Sequence, residues 1–508
     1  MTAREPLGQY GFADEAAADQ QLRQLGEGAQ GRELLPLLPD LLRWLSAAAD
    51  PDRGLIRFER FLRVHPEPAR LIGVLRERPR AAELLAITLG GSPFLAESLI
   101  RHPAWFDALS EPEALGQKRT RVDIEYDLLQ ALRALGRHPP HEAELNALRL
   151  AKRRELLRIG ARDLLRLASV EDTLLALSEL AEALVQQAYA SSEDALRRRH
   201  DLPALESGLA GSGFTVLGLG KLGGGELNFS SDVDLIYVYA TDRGRAGRGK
   251  GSPSKADFAV QLGRRVTAAL AETTAEGIVY RVDLRLRPEG RSGAVAASLP
   301  SCERYYKSRG ASWERLALLK ARPVGGDRDL GALFLQRVRS FVFDRPFGPD
   351  AVKELLRMKH ASDRRVAERG ESESDVKLGR GGIREVELVV QALQVRNGRR
   401  LGALHARGSL QALQALREAQ LLPDAEADVL RRAYLFLRDV ENKLQMVADA
   451  QVHALPRAAE ELRLLARRLG YRDAPEASAE ESLRRAHRAH TEAVHRIFSE
   501  TFARLERA

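Results

Sequence analysis

At 508 residues, with 44% hydrophobic and 30% charged positions, the chain has ordinary globular usage, which excludes collagen-like, mucin-like and wholly disordered classes. The net charge of +8 comes from 79 basic against 71 acidic residues, interspersed as in Arg153-Arg154-Glu155, so it reads as solvated helix faces and argues against a nucleic-acid partner. Cys302 stands alone and excludes an internal disulfide, the first residues lack a secretory apolar stretch, and no apolar run approaches the roughly 20 residues of a membrane span. The expectation is a cytoplasmic protein with no membrane contact.

Residues 1–205 read as helix after helix, because apolar residues recur at spacings of three and four among Ala, Leu, Arg and Glu. Asp50-Pro51, Ser92-Pro93 and Pro139-Pro140 mark helix starts, a capping side chain or a proline standing just where free N–H groups begin. From about 211 the texture changes to glycine turns and β-branched runs. Strands are predicted at Phe214–Leu219, Val233–Tyr239 and Val279–Leu286, with an amphipathic helix over Lys255–Thr274. The segment Asp242–Ser254 is basic and rich in Gly and Ser, and reads as a mobile loop. Beyond 345 helices return, the clearest at Asp424–Ala450, where Val429, Ala433, Leu437, Val440, Leu444 and Val447 form one stripe. The expected organisation is predominantly helical α+β: an N-terminal helical region (1–205), a catalytic domain with a small mixed sheet (206–344) and a C-terminal helical bundle (345–508).

The chemistry concentrates in the sheet-forming part. Gly223-Gly224-Gly225 is followed by Ser230-Ser231-Asp232-Val233-Asp234-Leu235. Residues two apart on a strand share a face, so Asp232 and Asp234 point together while Val233 and Leu235 pack behind. If Val279–Leu286 runs alongside, Asp283 completes a three-carboxylate cluster. Like charges so placed repel, and a divalent cation removes that cost. An all-oxygen donor set suits magnesium, and three aspartates can hold two such ions about 3.5–4 Å apart, the arrangement that clamps the entering and leaving oxygens in displacement at phosphorus. The chemistry indicated is nucleotidyl transfer, with Asp232, Asp234 and Asp283 as catalytic and metal-holding residues. Gly223, Gly224, Ser230 and Ser231 suit close backbone approach to a phosphate, and Lys221 adds a point charge. Arg285 and Arg287 alternate with Leu284 and Leu286 on the face of Asp283, and are expected to bind nucleotide or free phosphate bidentately. Lys320 and Arg322 repeat the two-residue spacing in a more helix-like segment. In the run from Gly379 to Glu387, free N–H groups at a helix start near Ile383 suit an anion, while Glu385 and Glu387 suit the helix dipole, so its role stays open. Tyr305, Tyr306 and Trp313 read as core packing. Cys302, with no paired histidine, reads as inert, and the histidines show no zinc-ligand spacing.

Four runs taken together, residues 218–239, 280–295, 305–327 and 375–387, resemble the glutamine synthetase adenylyltransferase/adenylyl-removing enzyme family. Members usually carry two DNA polymerase β-like nucleotidyltransferase domains in tandem; this chain shows one, and its motifs are similar to those of the N-terminal, adenylyl-removing half. The resemblance implies that AMP is removed from a tyrosine of glutamine synthetase by phosphorolysis, giving ADP, with magnesium as cofactor, phosphate and ADP (or ATP) as small substrates, and a PII-type signal protein as a further partner. Three alternatives remain at this stage: ATP-dependent adenylylation of glutamine synthetase with release of diphosphate, a nucleic-acid-directed nucleotidyltransferase, and a non-catalytic helical scaffold that keeps the carboxylates to bind nucleotide or metal. The direction of AMP transfer separates the first of these from removal.

Overall fold

Phe214–Gly218 (β1) and Val233–Tyr239 (β2) form the centre of a five-stranded sheet, as their β-branched and aromatic runs predict. They pair antiparallel, Phe214 opposite Tyr239 and Gly218 opposite Leu235. On its other edge β1 pairs antiparallel with Arg322–Gly326 (β5), the register slipping between Val216 and Leu217. The free edge of β2 takes two short parallel strands, Val282–Asp283 (β3) at its beginning and Ala296–Ser298 (β4) at its end. The computed structural model describes residues 7–111, 113–136, 139–203, 213–247 and 251–507. Residues 204–212, around the expected boundary at 205, lie outside these.

The central strands are buried on both faces, which requires a cover on each side. The Lys255–Ala271 helix buries Phe258, Leu262, Val266 and Leu270, and its Gly263 lets the helix approach the Tyr237 ring, whose hydroxyl bonds Thr267 at 2.9 Å. The Arg328–Phe343 helix packs through Gly331 against Pro323, where an added Cβ would stand 2.5 Å from the proline ring. Capping follows the expected pattern: the side chains of Asp50, Ser92 and Ser254 each accept from an N–H in the first turn of their helices.

The chain divides into two compact units, each assembled from separated segments: residues up to Lys118 with Arg153–Thr173 and Arg438–Arg488, and Arg119–Lys152 with Leu174–Leu437 and the stretch from Ala489. The first is helical, with a core that includes Leu45, Leu55, Phe58, Phe61, Leu85, Leu95 and Phe106. In it Ser92 donates to the Met446 carbonyl at 2.5 Å, and the buried Lys443 pairs with Asp163 and Asp439. The second contains the whole sheet. Among the described residues no helix is long and apolar enough to cross a membrane.

Four expected elements differ in extent, the first being the strand predicted to Leu219, which ends at Gly218. The strand over Val279–Leu286 is only Val282–Asp283, because the chain turns directly afterwards and the Arg287 N–H closes on the Leu284 carbonyl at 3.2 Å. The helix predicted to Thr274 ends at Ala271, and the one predicted to Ala450 ends at Gln445. Of the basic loop, Arg248-Gly249-Lys250 lie outside the described residues; its flanks are fastened by pairing of Arg245 with Ser254 and by the Arg245 guanidinium on the Ser252 carbonyl at 2.6 Å.

Candidate active site

Sheet topology brings the carboxylates together. Because β1 and β2 are antiparallel, the end of β1 that leads into the glycine-rich turn lies beside the beginning of β2, where Asp232 and Asp234 sit. Because β3 is parallel to β2, its Asp283 stands in register with Asp234. Burial first, and then the Asp283 and Asp232 charges, push the Asp234 carboxyl up to about 6, with Lys377 and Arg285 offsetting part of the rise. Asp283 is held below the ordinary carboxylate range: burial opposes this, but the backbone N–H of Arg285 at 2.8 Å and its guanidinium at 2.5 and 2.8 Å outweigh it. Asp232 receives the Arg281 guanidinium at 2.7 Å.

The predicted phosphate-binding groups are placed as follows. The Gly220–Gly224 helical turn follows β1, and Gly223 is packed so closely under β5 that a Cβ would stand 2.1 Å from the Lys320 carbonyl. Gly224 faces Glu226 and the Arg407 carbonyl. Lys221 is half-buried on the same turn, its carbonyl taking the Glu226 N–H at 2.8 Å. Ser230 is buried, its carbonyl and hydroxyl both accepting from Arg281 at 2.8 and 3.1 Å, and the Ser231 hydroxyl accepts from the Asn228 N–H at 3.2 Å. Arg285 is committed to Asp283, and Arg287 donates to the carbonyls of Leu284, Arg291, Gly293 and Ala294.

A cavity of about 490 Å³, large enough for a nucleotide, opens beside Asp234 and Gly220. Trp313, Leu316, Leu355 and Met358 form an apolar wall, while Lys320, Lys359, Arg365 and Arg384 bring positive charge and Glu387 one further carboxylate. Trp313 is therefore a half-buried cavity residue rather than core, whereas Tyr306 is core, against Phe334 and Phe341.

Beneath the cavity Lys320 donates to Glu226 at 3.0 Å, Glu387 at 2.8 Å and Ser409 at 3.0 Å while only 5% exposed. Burial alone would favour losing its proton; the two carboxylates outweigh that and hold the ammonium well above its ordinary range. This network fastens the glycine-rich turn to the helix after Gly382. The glycines of that second motif are packing residues: a Cβ on Gly381 would stand 1.8 Å from the Thr491 carbonyl, and one on Gly379 2.3 Å from that of Asp375.

Several site residues were missed in the sequence. Gly220 has φ +52°, and a Cβ there would stand 2.5 Å from the Asp234 carboxylate. Arg281 precedes Asp283 by two residues, the same spacing that singled out Arg285, and could have been found that way. Lys377 and Arg384 lie in the run at 377–387, where the sequence singled out the glycines and glutamates but not these cations, and Arg365 carries no comparable signal.

A family model described as glutamate-ammonia ligase adenylyltransferase matches residues 82–337, about half of the chain and all five strands. The chain belongs to that family. A second model, described as GlnD PII-uridylyltransferase, matches residues 351–502. Curated relatives named bifunctional glutamine synthetase adenylyltransferase/adenylyl-removing enzyme include that of Thioalkalivibrio sulfidiphilus, 41% identical over 397 residues (77% of this chain, 40% of the relative). Those of Stenotrophomonas maltophilia strain R551-3 and Xanthomonas campestris pv. campestris strain B100 are 39% identical over 431 residues (84% and 43%) and 40% over 398 (78% and 40%). The chain spans about two fifths of the length of these family members.

Donor chemistry and electrostatics at the sheet end fit magnesium. Asp234, Asp283 and Asp232 offer oxygen only, and the burial that chiefly raises the Asp234 carboxyl, together with the neighbouring Asp283 and Asp232 charges, is a cost that a hard divalent cation would offset. Among the described residues no three such ligands converge into a ready-made cage. Magnesium does not need one, since it binds through one or two carboxylates and completes its shell with water and substrate phosphate.

Proposed function

We propose that the chain removes AMP from an adenylylated tyrosine of glutamine synthetase by phosphorolysis, releasing ADP. The observation that carries this reading is the in-register pair Asp234 and Asp283 at one end of the sheet, beside a nucleotide-sized cavity. Glutamine synthetase enters from the names of the relatives, and the removing direction from the motif at 228–236 with the runs at 312–327 and 377–387. In the same reading the sheet is of the DNA polymerase β-like type, within a nucleotidyltransferase domain at 206–344. The match at 351–502 supports testing a PII-type signal protein as a regulatory partner.

Asp232, Asp234 and Asp283 would hold magnesium, one or two ions, which when bound supplies positive charge to the oxygens entering and leaving phosphorus. The rest falls to the chain. Arg281 and Arg285 hold the outer two carboxylates in place. The Gly220 turn gives the α-phosphate close access to Asp234, and the wall of Trp313, Leu316 and Met358 offers the purine an apolar face with exclusion of water. Attack by phosphate requires no general base, because the nucleophile is already anionic; the departing tyrosyl oxygen needs a proton or a positive charge.

The test is to incubate the chain with AMP-modified glutamine synthetase, magnesium and phosphate, following ADP beside an Asp232→Asn/Asp234→Asn control. Phosphate-dependent ADP formation that the control lacks is the expected outcome. AMP incorporation from ATP into unmodified enzyme, with no ADP from modified enzyme, would replace removal by adenylylation.

A further inference from the structure

The arginines that the sequence places beside the acidic cluster are occupied, Arg285 by a carboxylate and Arg287 by backbone carbonyls. The cavity nevertheless has a basic wall. Arg365, near the end of the Pro349–Glu368 helix, and Arg384, in the first turn of the Ile383–Asn397 helix, both line it. Both are exposed, and neither side chain has an ion pair or hydrogen bond to any described residue. Lys359 on the same wall is different, since Asp363 at 2.5 Å and Glu385 at 2.9 Å neutralise it. Lys377, in the loop before the second helix, lies near enough to Asp234 to act on its charge.

A guanidinium cannot lose its charge, so two of them on one cavity repel each other until an anion arrives. Their forked donors match phosphate oxygens, and an anion carrying more than one charge gains from both. A carboxylate ligand would gain less. The position beside Asp234 places such an anion next to the phosphorus that the carboxylates serve.

Resting on the phosphorolytic reading, we propose that Arg365 and Arg384, with Lys377, form the subsite for the phosphate adjoining the AMP phosphorus: free phosphate as nucleophile, and the β-phosphate of the ADP it becomes. An oxygen of the seated phosphate forms a bond to the AMP phosphorus; the bond from that phosphorus to the tyrosyl oxygen breaks, and its electron pair leaves with that oxygen, which then takes up a proton. No oxidant or further reactant is required. The β- and γ-phosphates of ATP have the same chemistry and are the other source of an occupant.

Binding of AMP, ADP, ATP and inorganic phosphate to the full chain with magnesium, followed by titration calorimetry, tests this in wild type, Arg365→Ala, Arg384→Ala and the matching Arg→Lys variants. Wild type should bind ADP more tightly than AMP. Each alanine variant should lose about 10- to 100-fold in ADP affinity with AMP affinity and the unfolding transition unchanged, and lysine should recover part of it. In turnover the KM for phosphate should rise with little change in kcat. Equal affinity of the wild type for AMP and ADP, or variants that weaken both alike or neither, would overturn the subsite. Wild-type chain that shows the binding pattern yet makes no ADP from modified glutamine synthetase would remove the phosphorolytic reading alone, and a matching loss of ATP affinity in the variants would then identify the triphosphate as the occupant.

Discussion

Lys320→Met should destabilise the sheet-bearing unit by about 3–5 kcal/mol at pH 7.5, the cost of removing one partner from a buried ion pair. The geometry favours the upper part of that range. The ammonium serves Glu226, Glu387 and Ser409 at once and is nearly inaccessible, so its loss leaves two carboxylates facing one vacated position. The folded value of Lys320 lies above the unfolded one, so its stabilisation is fully present below about pH 10 and is lost only as pH rises through the folded value. Trp313 is the one tryptophan among the segments of this unit, Trp44 and Trp105 belonging to the other. Urea unfolding read by fluorescence in a Trp44→Phe/Trp105→Phe background therefore follows this unit alone. Glu226→Gln keeps an acceptor for the Ser409 N–H, so Lys320→Met/Glu226→Gln should recover a large part of the loss. A cost below about 1 kcal/mol, or a double variant no more stable than the single, would refute the account of the network.

Asp234→Asn should abolish ADP formation while stabilising the metal-free protein at pH 8. The folded carboxyl, at about 6, lies above its unfolded value, so wild-type stability falls as pH rises from about 4 through about 6, by about 3 kcal/mol in all; the variant should lack that fall in a thermal scan against pH. Added magnesium should raise the melting temperature of wild type and leave that of the variant unchanged. Gly220→Ala should cost only about 1–2 kcal/mol, the penalty of a left-handed residue with a Cβ, yet suppress turnover by displacing Asp234, whereas Gly223→Ala should chiefly lower stability, because the obstruction there is backbone. Comparing kcat with urea midpoints separates the two. Burial pushes the Cys302 thiol up to about 12, so iodoacetamide should label it only in urea; labelling of the native chain would contradict the packing around it.

The sequence alone determined β1, β2, their bounding turns and the proline- and serine-marked helix starts, because these depend on residues adjacent along the chain: side-chain alternation, branched Cβ atoms, and caps three residues from the N–H groups they satisfy. It also related Asp232 to Asp234 through the strand's two-residue period, whereas Asp283 comes beside Asp234 only through the parallel pairing of β3 with β2, and among the described residues the three form no ready-made cage. Tertiary structure decided which cations remain available. Arg285 and Arg287 looked suited to phosphate by spacing, but whether a guanidinium is free depends on the nearest carboxylates and carbonyls, which here come from a turn that shortens the expected strand to Val282–Asp283. Lys320 meets Glu226 and Glu387 across 94 and 67 residues of chain, and no local pattern encodes such a meeting. The same holds for Gly381, whose neighbour is Thr491, and for Arg365 and Arg384, which reach one cavity from two helices. Backbone periodicity is a short-range property and is written in short stretches of sequence; pairing of charges and closure of a cavity arise only when distant segments share a volume.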